Sequence, residues 1–363
     1  MTYATLRMTE VINMAEVINI VHCGISEVGK FLKGSVMEGC STVSRVFVVC
    51  DRNVRRLAER IGFEADGIFE LDATEGNKDF STVVEIDHWL MEQGADRNAL
   101  VLGIGGGITT DMTGFAASVY KRGVRFAFIP TTLLSQVDAA IGGKNGVNLD
   151  SYKNMIGVIR QPEAVFICPE PLETLPYRQI VSGASELLKT FIIDNSKGLY
   201  EEAVRTLSAI RQAGGDISGY SQSLNSLIAE AAMIKAGIAG RDPFEKGERR
   251  LLNLGHTFAH AIEKLSGEKI PHGEAVSIGI VLASRLAEKL GLAKIGLSDC
   301  LEADFKACGM PVLCPFEVGE LTGAMRKDKK AEGNIIHFIL PSGIGSVSVK
   351  DMTPGEATRL LQE

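Results

Sequence analysis

Residues 249–265 carry the densest set of chemistry-bearing side chains in the sequence. At about 100° per residue, one helical stripe would hold Arg249, Asn253, His256 and His260, and the opposite stripe Leu251, Leu254, Phe258, Ile262 and Leu265. Such a helix buries its leucine face and offers a row of nitrogen donors and ligands on the other. Two histidines four residues apart can converge on one cation, because a neutral imidazole is the commonest protein metal ligand; taken alone, the same pair is more often a solvated surface feature. His272 follows in PHGEAV, at the start of a helical pattern running from Glu274 to Leu290. A helix N-terminus disfavours imidazolium, which keeps that ring neutral and available to a cation. Catalytic metal sites take three protein ligands and leave positions open for substrate. Glu186, in SGASELLKT, is the preferred third ligand, with Lys189 one turn further along its face. The alternative for Glu186 and Lys189 is an ordinary surface ion pair at i,i+3.

A second group of residues suits phosphate. GIGGGITTD (103–111) follows a strand-like run and opens a helix-like one. Adjacent glycines let the backbone approach a pyrophosphate, and the helix start supplies amide donors. The string departs from G-x-G-x-x-G at Ile108, so a plain tight turn is the competing reading. Asp51 stands where a ribose-binding carboxylate ends a strand, or is simply a polar strand terminus. Thr131 and Thr132 follow another strand and can bind a cofactor or cap a helix. In DAAIGGKNG (138–146), Lys144 sits in a glycine-rich loop, with Lys153 and Asn154 soon after; these bind anions or are solvated turn residues. RKDKKAEG (326–333) reads mostly as a solvated charge run.

The elements that must position these groups fall into two halves. Short apolar runs at 45–51, 99–107, 124–132 and 164–169 alternate with helix-length segments such as Phe80 to Gln93, which predicts a parallel sheet with crossover helices. After Pro169, Pro171 and Pro176 the pattern becomes helical, and 334–349 alternates as a small appended hairpin. The stretch 211–219 reads as a mobile loop. The expected architecture is therefore an α/β Rossmann-like dinucleotide-binding domain over 1–172, followed by a mostly α-helical metal- and substrate-binding domain over 173–363. A length of 363 residues with 45% hydrophobic content supports two such cores.

Net charge is -7 and the sequence pI is about 5.6, so no broad field attracts nucleic acid and any phosphate must be met locally. Seven scattered cysteines without a C-x-x-C pair suit reduced thiols in the cytoplasm and disfavour thiolate-held zinc. Glu10 and Glu16 precede Val17 to Val21, unlike a secretion signal, and no apolar run reaches the roughly 18 residues needed to span a bilayer. The expectation is a cytoplasmic protein without membrane contact.

Several strings, in order, resemble the 3-dehydroquinate synthase family from about residue 45 to 340: GGGITTDMTGFAASVYKRG, FIPTTLLSQVDAAIGGKNGVN, KNMIG, LETLPYRQIVSGASELLK, EKGERRLLNLGHTFAHAIE, PHGEAV and KDKK. The resemblance implies a divalent ion, normally zinc with cobalt as an alternative, held by Glu186, His256 and His272; His260 then becomes a hydrogen-bonding group instead of a ligand. It implies an NAD site including Asp51, Asn53, Glu75, Lys78, Gly105, Gly106, Gly107, Asp111, Thr131, Thr132, Lys144, Lys153 and Thr174. Around the substrate it implies Asp138, Lys144, Asn154, Lys189, Lys235, Arg249, Asn253, His260 and Lys330, with Arg122 reaching in from a neighbouring subunit of a homodimer. The substrate carboxylate would face Arg249 and Lys144, and its phosphate Asn154, Asn253, His260, Lys330 and Arg122. Departures from the family pattern are few: ITTD lacks a further glycine, Gln179 replaces a common Glu, and residues 1–44 match only vaguely.

The implied reaction converts 3-deoxy-D-arabino-heptulosonate 7-phosphate to 3-dehydroquinate and phosphate. Transient oxidation by NAD acidifies a neighbouring proton, phosphate leaves, the hydride returns, the ring opens and an intramolecular aldol addition closes the carbocycle. Lys144, Asp138 and the His260 network would assist proton transfers, with phosphate acting as base in its own elimination. Three other readings share parts of this pattern: another sugar phosphate cyclase, an iron-type alcohol or glycerol dehydrogenase, and a catalytically silent binding protein. Retained Arg249, Asn253 and His260 favour a carboxylate-bearing substrate.

Overall fold

A computed structural model describes residues 18–33, 43–150, 152–328 and 335–362. It divides into two compact units, one comprising 1–175 with 235–244, the other 176–234 with 245–363.

The first unit is built on a six-stranded parallel sheet in the order β1-β8-β5-β4-β2-β3. Its strands are β1 (Ile20–His22), β2 (Val46–Asp51), β3 (Gly67–Leu71), β4 (Leu100–Gly105), β5 (Arg125–Pro130) and β8 (Val165–Ile167). Helices α1 (Val28–Lys33), α2 (Arg55–Ala58), α3 (Phe80–Glu92) and α4 (Gly107–Val119) alternate with these strands. Central strands such as VFVVC and LVLGIG are nearly continuous apolar runs because both faces of a parallel sheet are covered. One face packs Val48, Cys50, Leu100, Leu102, Ile104, Ile129 and Phe166 into a single core. The chain turns back at β2, with β3 on one side and β4 on the other, so a switch in strand order lies between β2 and β4. Ligands of open α/β sheets bind beyond the carboxyl ends of the strands at such a point.

The sequence reading anticipates neither β1 nor β3, nor the hairpin that follows β5. GIFEL forms β3, and residues 144–159 form a two-stranded antiparallel hairpin of β6 (Lys144–Leu149) and β7 (Tyr152–Ile159). Lys144 thus begins a strand instead of sitting in a glycine loop. β7 is exposed along most of its length, so it lacks the alternation that burial of one face imposes.

The second unit contains α5 (Tyr177–Ile193), α6 (Tyr200–Gln212), α8 (His256–Ser266), α9 (His272–Lys289), α10 (Leu297–Ala307), α11 (Val318–Asp328) and α12 (Pro354–Gln362). The expected late hairpin is present as antiparallel β9 (Ile336–Gly343) and β10 (Ser346–Met352). Helix α7 (Ser221–Arg241) starts in this unit, and its last residues, from Lys235, belong to the first. The segment 211–219 is less of a loop than expected, because α6 continues through Gln212. Among the described residues no helix is long and apolar enough to cross a membrane.

The stripe from Arg249 to Leu265 is not one helix. Residues Glu248–Asn253 form a 3-10 turn, Gly255 adopts φ 79°, and α8 begins at His256. A side chain at 255 would strain this left-handed backbone, and its Cβ would stand 2.7 Å from Ile280 Cγ1 of α9. Helical periodicity continues through the string, but the close approach of α9 breaks the backbone.

Candidate metal centre and dinucleotide-binding loops

Glu186 projects from α5, His256 opens α8 and His272 opens α9. The two α-helix starts are pinned locally. A Cβ at Gly273 would lie 1.9 Å from the Ser182 carbonyl oxygen, so the first turn of α9 rests directly on α5, one turn before Glu186. The Gly273 amide also donates to Ser182 Oγ at 3.3 Å.

The candidate ligand atoms of Glu186, His256 and His272 all lie within 4.8 Å of one another. Glu186 Oε1 is 3.3 Å from His272 Nε2 and 3.7 Å from His256 Nε2. Ligands about 2.0–2.1 Å from a tetrahedral zinc ion stand roughly 3.3–3.4 Å apart, so one carboxylate and two imidazoles at these spacings fit the donor set of a catalytic zinc site. His256 Nδ1 is 3.1 Å from the Leu254 carbonyl, so its Nε2 faces the cluster. His260 stands beside the triad and outside it: its ring centroid is 5.6 Å from that of His256 and 6.4 Å from that of His272. The i,i+4 pair alone is therefore not the ligand set, because α8 turns His260 toward its exposed side.

Lys189 lies 2.5 Å from Glu186 Oε2 with both side chains buried, which excludes the surface ion pair weighed for these residues. Burial, and after it the Lys189 ammonium, hold His256 down at about 3. His272 behaves oppositely. Burial works against its charge, but hydrogen bonds to Glu186 and Glu263 outweigh that and push it up to about 10. The helix dipole's expected preference for neutral His272 is thus overturned in the ion-free protein, since two carboxylates exceed the ~0.3–1 kcal/mol of a helix terminus. Arg249 is buried in the 3-10 turn, which packs on α5, and Asn253 Nδ2 donates to Glu245 Oε1.

The first unit contains the residues that the family resemblance assigns to NAD. Asp51 ends β2, Gly105, Gly106 and Gly107 follow β4, and Thr131 and Thr132 follow β5, three neighbouring carboxyl ends at the switch in strand order. A Cβ at Gly105 would meet Thr109 Oγ1 at 2.3 Å, so this glycine lets α4 lie against its own strand. No side chain caps α4, which leaves the amides of its first turn for an anion. Asp51 accepts from the Asn53 amide at 2.9 Å and from its Nδ2 at 3.0 Å.

Lys78 Nζ lies 2.6 Å from both Asp111 Oδ2 and Asn154 Oδ1, so a residue assigned to the cofactor meets one assigned to substrate phosphate. Burial pushes the Asp111 carboxyl up while the Lys78 ammonium opposes the shift. Asn148, absent from the sequence reading, donates to Glu75 Oε1 at 2.8 Å and accepts from the Asn154 amide at 3.0 Å. Lys235 Nζ is 2.7 Å from Asp138 Oδ1 and 2.6 Å from the Asp138 carbonyl. Thr132 and Ser135 exchange backbone-to-hydroxyl bonds of 3.1 Å, the capping role weighed for Thr132. Lys144, Lys153, Arg122 and Thr174 are exposed, and Lys330 lies outside the described residues.

The sequence matches the 3-dehydroquinate synthase N-terminal family over residues 68–182 and the 3-dehydroquinate synthase C-terminal family over 183–331. The chain belongs to the 3-dehydroquinate synthase family. It is 39% identical over 292 residues to a 3-dehydroquinate synthase of Dictyoglomus thermophilum, covering 80% of each chain. It is 37% identical over 346 residues to one from Streptococcus sanguinis, covering 91% of this chain and 95% of the relative. Among solved structures, the 2-epi-5-epi-valiolone synthase of Streptomyces hygroscopicus, with NAD+ and Zn2+ bound, superposes with a TM-score of 0.80 at 27% identity, covering 99% of this chain and 98% of that one. This family member therefore has the two-unit architecture of the sugar phosphate cyclases.

Proposed function

We infer that this chain is an NAD- and metal-dependent 3-dehydroquinate synthase, a lyase that converts 3-deoxy-D-arabino-heptulosonate 7-phosphate to 3-dehydroquinate and phosphate in the shikimate route to aromatic amino acids. The convergence of Glu186, His256 and His272 within 4.8 Å, in a chain of this family, carries the reading. When bound, NAD supplies reversible oxidation of the ring alcohol, and a zinc or cobalt ion supplies polarisation of its oxygen.

In this reading Glu186, His256 and His272 hold the ion, while Asp51, Asn53, Glu75, Lys78, the 105–107 glycines, Asp111, Thr131, Thr132, Lys144, Lys153 and Thr174 hold NAD. Asp138 and Lys235, already paired at 2.7 Å, can pass a proton between carboxylate and amine. Arg249 and Lys144 bind the substrate carboxylate; Asn154, Asn253, His260, Lys330 and Arg122 bind the phosphate, and Lys189 holds Glu186 in place. A concentrated cationic set suits a dianion on a chain of net charge -7, since the attraction must act at contact distance.

The working unit in this proposal is a cytoplasmic homodimer in which Arg122 serves the partner's site. Exposed Tyr152, Met155 and Ile159 on β7 offer a surface for a second copy, and the six described cysteines are all free thiols.

The deciding experiment supplies the sugar acid phosphate with NAD and zinc and follows phosphate, product and nicotinamide absorbance together. Equal release of phosphate and 3-dehydroquinate without accumulating NADH is expected. Net NADH would indicate a dehydrogenase, turnover only of a substrate lacking the carboxylate would indicate another cyclase, and binding without turnover a silent homologue.

A further inference from the structure

Glu263, on α8, is a buried carboxylate that is 6% exposed. Its Oε2 lies 3.4 Å from His272 Nδ1, while His272 Nε2 points at Glu186 Oε1, 3.3 Å away. Glu263 therefore stands on the far side of the imidazole from the metal-ligand cluster, where it can orient the ring without coordinating the ion. It is seven residues beyond His256, two helical turns along the same face, so one helix supplies a ligand and the group that addresses the next ligand.

We propose that Glu263 is a positioning residue that fixes the Nδ1–H tautomer of His272 and so presents Nε2 to the divalent ion. The inference rests on the metal-site reading above and extends it to a residue outside that set. An ionised carboxylate can only accept, so its contact with Nδ1 selects the tautomer whose Nε2 lone pair is free. The Leu254 carbonyl does the same for His256 from 3.1 Å. The two supports differ in kind. A carbonyl adds no charge, whereas a carboxylate raises the basicity of the opposite ring nitrogen and places negative charge near a divalent ion. His272 needs this support more, because its side chain is 33% exposed against 12% for His256, and packing holds it less firmly.

The test uses the full-length zinc-loaded protein and its Glu263→Ala and Glu263→Gln variants. Zinc release to a chromophoric chelator and equilibrium zinc affinity are measured at one pH, with ring-nitrogen NMR reporting the His272 tautomer. Glu263→Ala is expected to weaken zinc binding about 10–100-fold and, in the zinc-bound state, to shift the His272 Nδ1–H resonance as that proton loses its carboxylate acceptor. Glu263→Gln retains an accepting oxygen and should recover part of the affinity. Should Glu263→Ala fail to fold, the Gln variant still decides: it must bind zinc more weakly than the parent with the tautomer kept. Parent-like affinity, release and Nδ1–H resonance in folded variants would overturn the role of Glu263. Failure of the parent itself to bind zinc would instead overturn the metal-site reading.

Discussion

Lys189 Nζ lies 2.5 Å from Glu186 Oε2, and the two side chains are exposed by only 1% and 0%. Removing one partner of such a pair leaves a buried charge, which costs about 3–5 kcal/mol, whereas removing both can be nearly neutral. Lys189→Met should lower the unfolding free energy of metal-free protein by less than that full amount, because the His272 imidazolium still faces Glu186 Oε1, and Glu186→Gln with Lys189→Met should regain most of the loss. Zinc should narrow the deficit of the single variant, because the ion supplies positive charge beside Glu186. Urea unfolding with and without zinc checks this; a single-variant loss below about 1 kcal/mol would show that the pair is solvated.

His256→Ala should lose both bound metal and turnover while NAD binding persists. His256 belongs to the second unit, and the loops proposed to hold NAD belong to the first. Elemental analysis of the purified variant, paired with an NAD titration, separates the two effects. Undiminished metal content counts against His256 as a ligand.

His256 and His272 as ligand types, and Gly105 at a strand-to-helix turn, are legible because each carries its signal within a few positions of sequence. What escaped depends on neighbours brought from elsewhere. The αL turn at Gly255 is imposed by Ile280 of α9, and the leucine and histidine periodicity runs through it undisturbed. The charge on His272 follows from Glu186 and Glu263, while a local helix-dipole argument favours the neutral ring. Glu263 shares the His256 face, but its target begins the next helix, so its role has no signal within α8 itself. Exposure of β7 on both faces similarly left no period-two signal for the hairpin.

Proton release should accompany metal binding. In the ion-free protein His272 is pushed up to about 10, so it carries a proton at pH 7.5, while His256, held down at about 3, does not. An ion that takes both Nε2 atoms must displace one proton. Apparent affinity should then rise about tenfold per pH unit from roughly 7 toward 10, since each lone pair must be free to bind. Chelator competition from pH 7 to 9, with calorimetry in two buffers, measures slope and proton count; a slope of two would mean that His256 is also protonated. The ion-free fold has the converse dependence. A raised histidine contributes stability that is complete below the unfolded value near 6.5 and is lost as pH climbs through about 10.

Asp87, on α3, offers a test remote from the centre. Its Oδ1 has no hydrogen-bond partner among the described residues, and burial pushes the carboxyl up to about 6 from 3.8, with His88 opposing. Between about pH 4 and 6 the native state binds more protons than the unfolded chain, so stability falls as pH rises through that window. Asp87→Asn removes the dependence. Allowing for partial solvent screening, the variant should be about 1–2 kcal/mol more stable than the parent at pH 8. Urea midpoints should converge near pH 4 and separate above pH 6; a pH-independent gap would mean that Asp87 ionises freely.

Gly273 gives the strictest packing test, because a Cβ there would lie 1.9 Å from the Ser182 carbonyl oxygen, a backbone atom with no rotamer to escape into. Gly273→Ala must therefore move the first turn of α9 off α5, and His272 begins that turn. Overpacking of this kind costs about 1–3 kcal/mol. The displacement should cost metal affinity as well, because His272 Nε2 and Glu186 Oε1 are held 3.3 Å apart by this same contact. Ala275→Gly, further along the same helix, removes a buried methyl without adding an atom against Ser182 and serves as the control. Both variants should melt lower, but only Gly273→Ala should release zinc faster to a chelator; equal release from the two would show that the α5 to α9 contact stabilises the fold without setting the metal geometry.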